Sequence, residues 1–153
     1  MGGYCIRCTT MEEIDMSLRA IPLIVIAFIV YNLVVLAGGN VPADEILNKQ
    51  LFQLKMVSGA NWVFRTSDLI ILLTMGLLFV ELVKSTYTSS SQMVDHGLSM
   101  LVFIACLVEF LLQPKATTSV FFFIMTAALV DVVAGALIGI RAARRDLNIG
   151  SDS

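Results

Sequence analysis

The apolar stretch from Val120 to Ile140 constrains the fold of this chain more than any other feature. As an α-helix with a rise of 1.5 Å per residue, it is long enough to cross the roughly 30 Å hydrocarbon core of a bilayer. Asp131 lies near its middle. A carboxylate at that depth costs roughly 2.5–3.5 kcal/mol on insertion scales, so such residues usually face a protein interior or a watery cavity. The stretch therefore predicts a transmembrane helix that turns one acid toward its neighbours.

Three further apolar runs predict three more spans, and two of them also contain an acid, Glu81 and Glu109. Hydrophobic residues make up 58% of the chain and its mean hydropathy is +0.87, more than a soluble domain of this size can bury. The predicted fold is all-α: a four-transmembrane-helix bundle with a short amphipathic helix in the first extramembrane loop. The predicted segments are a cytoplasmic N-terminal tail at 1–17, a transmembrane domain at 18–141 with helices at about 18–37, 62–84, 96–113 and 119–141, a loop at 38–61, and a cytoplasmic C-terminal tail at 142–153.

The loop carries the pattern of an amphipathic helix. Pro42, Asp44 and Glu45 supply the proline and the acids that favour a helix start. Apolar residues then recur at helical spacing, namely Ile46, Leu47, Leu51, Leu54 and either Met56 or Val57. Such a helix would lie on the outer leaflet and cover the bundle, or it would dock a partner protein. The sequence leaves both interpretations open.

Basic residues predict the orientation of the bundle. An even number of spans puts both termini on one side, and Arg141, Arg144 and Arg145 adjoin the last helix on that side. Because basic residues near span ends stay in the cytoplasm, both termini are predicted to be cytoplasmic. The same arginines could also bind anionic lipid. The end of the first run, Val35–Ala37 before Gly38, resembles the cleavage site of a signal peptide. The run is longer than the apolar core of a signal peptide and contains Asn32, so we expect it to remain uncleaved.

Polar and small residues recur on single faces of the predicted helices. These faces comprise Ser67, Thr74 and Glu81 on the second helix, His96, Ser99, Cys106, Glu109 and Gln113 on the third, and Ala127, Asp131, Gly135 and Gly139 on the fourth. The candidate intramembrane polar network is Glu81, His96, Glu109 and Asp131. Gly135 and Gly139 have the spacing that lets helix backbones approach closely, which marks them as helix-packing positions.

Depth divides these polar groups into two layers. The half of the bundle nearer the cytoplasm is predicted to hold Glu81, Asp95, His96 and Asp131. Toward the opposite surface, near Arg65, we expect Asn32, Asp68 and Glu109. In the first layer we predict that Glu81 or Asp131 hydrogen-bonds a polar side chain on another helix, with His96 or Lys84 as the donor.

Two functions fit this pattern. In the first, the polar groups hold a small bundle together, and the chain is an accessory or structural subunit of a membrane complex rather than an enzyme. In the second, the intramembrane carboxylates serve a small oligomeric transporter or proton-coupled permease. The expected partners are the lipid bilayer and a larger membrane complex, or a second copy bound through the fourth helix. A net charge of −2 argues against nucleic acid.

No cofactor is expected from the sequence. The chain has one histidine, and Cys5-x-x-Cys8 lacks the second pair or histidine cluster of a zinc site. Whether Met1 is the true start, and whether Cys5 and Cys8 bind anything, is left open. No glycine-rich phosphate loop or nucleophile elbow is present, so no catalytic residue is predicted.

From Phe52 onward the chain resembles a set of small bacterial inner-membrane proteins to which no function is attached. The resembling segments are Met56–Trp62, Leu78–Lys84, Asp95–Ser99, Asp131–Gly135 and Ala143–Asp146. The resemblance implies a location in the bacterial plasma (inner) membrane. It implies no chemistry.

Overall fold

The computed structural model describes the backbone of residues 22–87 and 92–149 and the side chains of residues 22–85 and 96–140. Helices dominate this part of the chain, in agreement with the predicted all-α class. The elements in chain order are α1 (Ile24–Ala37), α2 (Ala43–Leu47), β1 (Gln50–Lys55), β2 (Asn61–Arg65), α3 (Thr66–Tyr87), α4 (Gln92–Leu112) and α5 (Ser119–Ile149), with a short 3-10 turn at Pro114–Ala116. The predicted N-terminal tail lies outside the described residues. Helix α5 continues past the predicted end of the last span at 141 and takes in the predicted C-terminal tail as far as Ile149.

Local chemistry explains where the long helices begin and end. At the start of α3, the carboxylate of Asp68 accepts a hydrogen bond from the backbone N–H of Arg65 at 2.9 Å, as in one half of a capping box. At the start of α5, the hydroxyl of Thr118 accepts one from the N–H of Phe121 at 3.2 Å. Helix α4 ends at Leu112, two residues before Pro114, which lacks an N–H to continue the ladder.

The loop between α1 and α3 differs from its prediction. A helix does form where the acids indicate a start, but it ends at Leu47, and the next residues form an antiparallel β-hairpin. The predicted continuation of the amphipathic helix to Leu54 and beyond is wrong. So is the predicted start of the second span at 62, because Trp62 lies in β2 and the helix begins at Thr66. In the hairpin, Phe52 and Leu54 on β1 and Trp62 and Phe64 on β2 recur with the period of two that places side chains on one face of a strand.

Helix α5 is the centre of the bundle and packs against α4, α3 and α1. Its buried face carries Phe121 and Ile124, which join Tyr31 of α1, Ile70 of α3 and Cys106 of α4 in one apolar cluster. The rings of Tyr31 and Phe121 meet edge to face with centroids 4.9 Å apart. Cys106 is fully buried here.

Two helices are long and apolar enough to cross a membrane, judged by length and composition within the described residues: Thr66–Ser85 and Ser119–Ile140. The helical segments Ile24–Ala37 and His96–Leu112 are apolar but shorter. Fewer than a third of the residues in either long span are buried, unlike those of a core helix in a soluble protein. Large apolar side chains such as Leu72, Phe79 and Leu137 point outward instead.

Candidate functional site

Buried polar side chains gather at one end of the bundle in a group that we term the Asp131 cluster. It consists of Glu81 and Lys84 from α3, His96 and Ser99 from α4, and Asp131 from α5. Glu81, Ser99 and Asp131 are buried, whereas Lys84 and His96 are half-buried. Three helices thus bring the carboxyl of Asp131 into electrostatic range of Glu81, Lys84 and His96.

Glu81 connects two helices through the backbone. Its Oε2 accepts a hydrogen bond of 2.7 Å from the backbone N–H of Leu23, immediately before α1, and its Oε1 lies 3.4 Å from Nζ of Lys84. The first N–H groups of a helix have no partner within the helix, and no side chain of α1 itself caps this end. Glu81 of α3 supplies the missing acceptor, so its carboxylate fixes the start of α1 against α3.

The carboxyl group of Asp131 uses only part of its hydrogen-bonding capacity. Its carboxyl has the side chain of Ser99 on α4 as a hydrogen-bond partner, and Lys84 and His96 lie within its electrostatic range. Its Oδ2, however, is buried without a hydrogen-bond partner among the described residues. A buried polar atom of this kind usually costs about 1–3 kcal/mol. Asp131 therefore has one oxygen engaged between helices and one oxygen available.

His96 packs directly on the small-residue stripe of α5. A Cβ built at Gly135 would lie 3.2 Å from Nδ1 of His96. That nitrogen is buried and, within the described residues, has no hydrogen-bond partner either. For Gly139, one turn further along α5, no atom of the described residues lies within 4 Å of an added Cβ. The stripe thus brings helices together at Gly135, and Gly139 lies beyond that contact.

A second polar group, the Glu109 cluster, lies where α1 meets α4 and the connection to α5. It consists of Tyr31, Asn32, Glu109, Lys115 and Thr118. Asn32 Nδ2 donates to Glu109 Oε2 at 3.2 Å, which joins α1 to α4. The hydroxyl of Tyr31 donates to the carbonyl of Lys115 at 2.8 Å and lies 2.7 Å from the hydroxyl of Thr118. A cavity of about 80 Å³ adjoins these residues.

The structure divides the predicted network between these clusters. Glu81, His96 and Asp131 come together, and Glu109 pairs with Asn32 instead. The predicted neighbour Arg65 uses its guanidinium to donate to Asn48 at 3.1 Å. Sequence reasoning missed the roles of Tyr31 and Thr118. Thr118 had a recognisable signal, since it stands at the N-cap position before an apolar run.

The chemistry available at these clusters is that of hydrogen bonding and proton binding. Among the residues that the structure describes, no group of three or more His, Cys, Asp or Glu side chains is arranged to hold a metal ion. Cys5 and Cys8 lie outside those residues. The carboxylates and the imidazole could hold or pass protons, and the hydroxyls and amide act as hydrogen-bond partners.

Comparison with protein-family models, curated proteins and solved structures finds no match for this chain. The resemblance to small bacterial inner-membrane proteins therefore stays a prediction from the sequence.

Proposed function

We propose that this chain is a multi-pass protein of the bacterial inner membrane, in which α1, α3, α4 and α5 form a four-helix transmembrane bundle with both termini in the cytoplasm. The distribution of side chains supports the membrane location. Apolar residues such as Leu72, Phe79 and Leu137 are exposed, while Glu81 and Asp131 are buried. This is the reverse of the pattern in a soluble helix bundle, where charged residues cover the surface.

Helix lengths are compatible with four spans. Helix α4 has 21 residues, about 32 Å at 1.5 Å per residue. Helix α1 has 14 described helical residues, about 21 Å by the same rule, so its ends would lie near the headgroups or thin the bilayer locally.

Labelling of single cysteines tests the orientation. In a variant with Cys5, Cys8 and Cys106 replaced, Ser58→Cys at the hairpin tip should react with an impermeant maleimide on the periplasmic side of intact cells. Ser151→Cys near the C-terminus should react only after the membrane is permeabilised. The opposite order of labelling would contradict the proposed orientation.

Within that membrane we propose the role of an accessory or structural subunit of a larger complex. The observation that carries this role is that buried and half-buried polar groups connect different segments of the chain. Glu81 accepts a hydrogen bond from the backbone N–H of Leu23 before α1, and Glu109 accepts one from the side chain of Asn32. The hydroxyls of Tyr31 and Thr118 hydrogen-bond each other. Contacts of this type typically contribute about 0.6–2 kcal/mol each inside membranes, and they fix how helices meet.

Purification in a mild detergent tests this role. The chain should migrate in stoichiometric amounts with one or more larger membrane proteins, and it should carry no proton or cation flux when reconstituted alone. A chain that migrates alone and conducts protons would overturn the assignment.

One observation favours a small proton-coupled transporter as a second candidate. Asp131 Oδ2 and His96 Nδ1 are both buried without a hydrogen-bond partner among the described residues. An acid and an imidazole in this state can exchange a proton with a passing solute or water.

Proton flux into liposomes, followed with a pH-sensitive dye, distinguishes the candidates. Flux in the wild type that is abolished by Asp131→Asn and retained by Asp44→Asn would favour the transporter. Asp44 is the matched control because it is exposed on α2. Absence of flux in all three proteins would favour the structural role.

A further inference from the structure

The two faces of the β-hairpin differ in polarity, because the pairs on one face are all apolar and the pairs on the other are mixed. Strand pairing sets Phe52 opposite Phe64 and Leu54 opposite Trp62, so these four residues share one face, which we term the aromatic face. The other face carries the pairs Gln53 with Val63 and Lys55 with Asn61. A short hairpin with one apolar face is marginally stable in water unless that face is covered.

The side chains of the aromatic face pack on one another, and among the described residues most of the face remains exposed. The rings of Phe52 and Phe64 stack with centroids 4.7 Å apart, and Trp62 meets Phe64 edge to face at 5.6 Å. Trp62 nevertheless remains 44% exposed. The tip of the hairpin adds Met56, which is exposed, and Val57, which is fully exposed.

The hairpin is joined to the proposed span without a linker. Strand β2 ends at Arg65 and α3 begins at Thr66, where the candidate span also begins. The backbone N–H of Thr66 donates to the carbonyl of Lys49 at 3.0 Å, which ties the base of β1 to the first turn of α3. At about 3.3 Å per residue, a strand of this length keeps the tip within roughly 20 Å of the helix start.

The charge of the hairpin favours lipid as the covering of the aromatic face. Residues 49–65 contain Lys49, Lys55 and Arg65 and no acidic residue. A basic segment with an exposed tryptophan and phenylalanines matches the headgroup region of a bilayer, where phosphates meet the ends of acyl chains.

We propose that the aromatic face of the hairpin is embedded in the headgroup region of the leaflet next to the start of α3, with Lys55 on the opposite face directed to lipid phosphates. The hairpin is then a shallow membrane anchor that holds the first extramembrane loop against the bilayer. This inference rests on the proposed membrane location.

Trp62 provides a direct test because it is the only tryptophan in the chain. The protein is reconstituted into phosphatidylethanolamine–phosphatidylglycerol vesicles whose acyl chains are brominated either near the headgroup or near the methyl end. Bromine near the headgroup should give the greater loss of Trp62 fluorescence, and aqueous iodide should give little. Val57→Asp at the tip should weaken the bromine quenching, whereas Ser58→Asp, beside it on the turn, should weaken it less.

A second reporter separates failure of this inference from failure of the membrane proposal. In a Trp62→Phe, Phe79→Trp variant, the new tryptophan lies on the exposed face of α3 and should be quenched by the deeper bromines. If it is quenched while Trp62 responds only to iodide, the hairpin projects into water and the anchor is overturned. If Trp62 is shielded from both bromine and iodide, protein covers the aromatic face and the anchor is again overturned. If neither tryptophan responds to bromine, the membrane location itself fails.

Discussion

A Cβ atom added to Gly135 would lie 3.2 Å from Nδ1 of His96, closer than most side-chain contacts allow. Helices α4 and α5 therefore meet at this glycine with little spare space. Because close backbone approach is a main source of helix association in membranes, this position should control how well the two helices pack.

Substitution of Gly135 by leucine should lower the thermal stability of the protein in detergent. The added bulk would displace the imidazole or separate the helices, and overpacking of this kind typically costs about 1–3 kcal/mol. Gly139→Leu is the matched control, because no atom in the described part of the chain lies within 4 Å of the added Cβ there. Equal melting temperatures for the two variants would show that the His96 contact does not limit packing.

Substitution of Glu81 should loosen the start of α1. Glu81→Ala removes the acceptor for the Leu23 N–H and should destabilise the protein by about 1–3 kcal/mol. Glu81→Gln keeps an acceptor oxygen and should lose less. Hydrogen exchange at the Leu23 amide provides the local measurement, and Glu45→Ala, at an exposed position of α2, should leave it unchanged. Faster exchange in Glu45→Ala would argue against a specific role for Glu81.

Asn32 and Glu109 should show measurable coupling in a double-mutant cycle. Asn32→Ala and Glu109→Ala each remove one side of the hydrogen bond between α1 and α4. The coupling free energy should be about 0.6–1.7 kcal/mol, the range found for such bonds inside membranes. Strictly additive effects on the unfolding free energy would mean that the two side chains do not stabilise each other.

The hydroxyl of Thr118 should matter more than that of Thr126. Thr118→Val removes the contact with Tyr31 and the cap of α5, whereas Thr126 bonds only the carbonyl of Phe122 within its own helix and is exposed. We expect Thr118→Val to cost about 1–3 kcal/mol and Thr126→Val to be close to neutral. Tyr31→Phe should reproduce part of the Thr118→Val effect. Thermal unfolding in one detergent compares the three variants.

The sequence predicted the long helices better than the loop. The start of α5 at Ser119 and the end of α4 before Pro114 agree with the predicted bounds to within one residue, because a cap and a proline mark them. The hairpin was missed because Ile46, Leu47, Leu51 and Leu54 happen to fit a helical period. The sequence clue to a turn was Ser58-Gly59 between two runs rich in apolar and aromatic residues, and in the structure Gly59 adopts a backbone φ of +84°.

The candidate site was predictable in its acids but not in its partners. An acid in an apolar run must face inward, which is why Asp131 and Glu81 stood out. Periodicity cannot show that Glu81 would bind a backbone N–H before another helix, since that contact depends on how α1 and α3 are placed in three dimensions. The division between His96 near Gly135 and Glu109 near Asn32 likewise follows from packing.

Only one order of the hydroxyl protons in the Glu109 cluster makes all of their hydrogen bonds at once. Tyr31 donates its proton to the carbonyl of Lys115, so the hydroxyl of Thr118 must donate to the oxygen of Tyr31. The oxygen of Thr118 in turn accepts from the N–H of Phe121. Donation therefore runs in a single direction from the first turn of α5, through two hydroxyls, to the carbonyl before it, and each bond polarises the next. Turning the Thr118 hydroxyl away from Tyr31 would break the bond between them, and turning the Tyr31 hydroxyl toward Thr118 would break its bond to the Lys115 carbonyl. The junction therefore makes all three hydrogen bonds only with this one direction of donation.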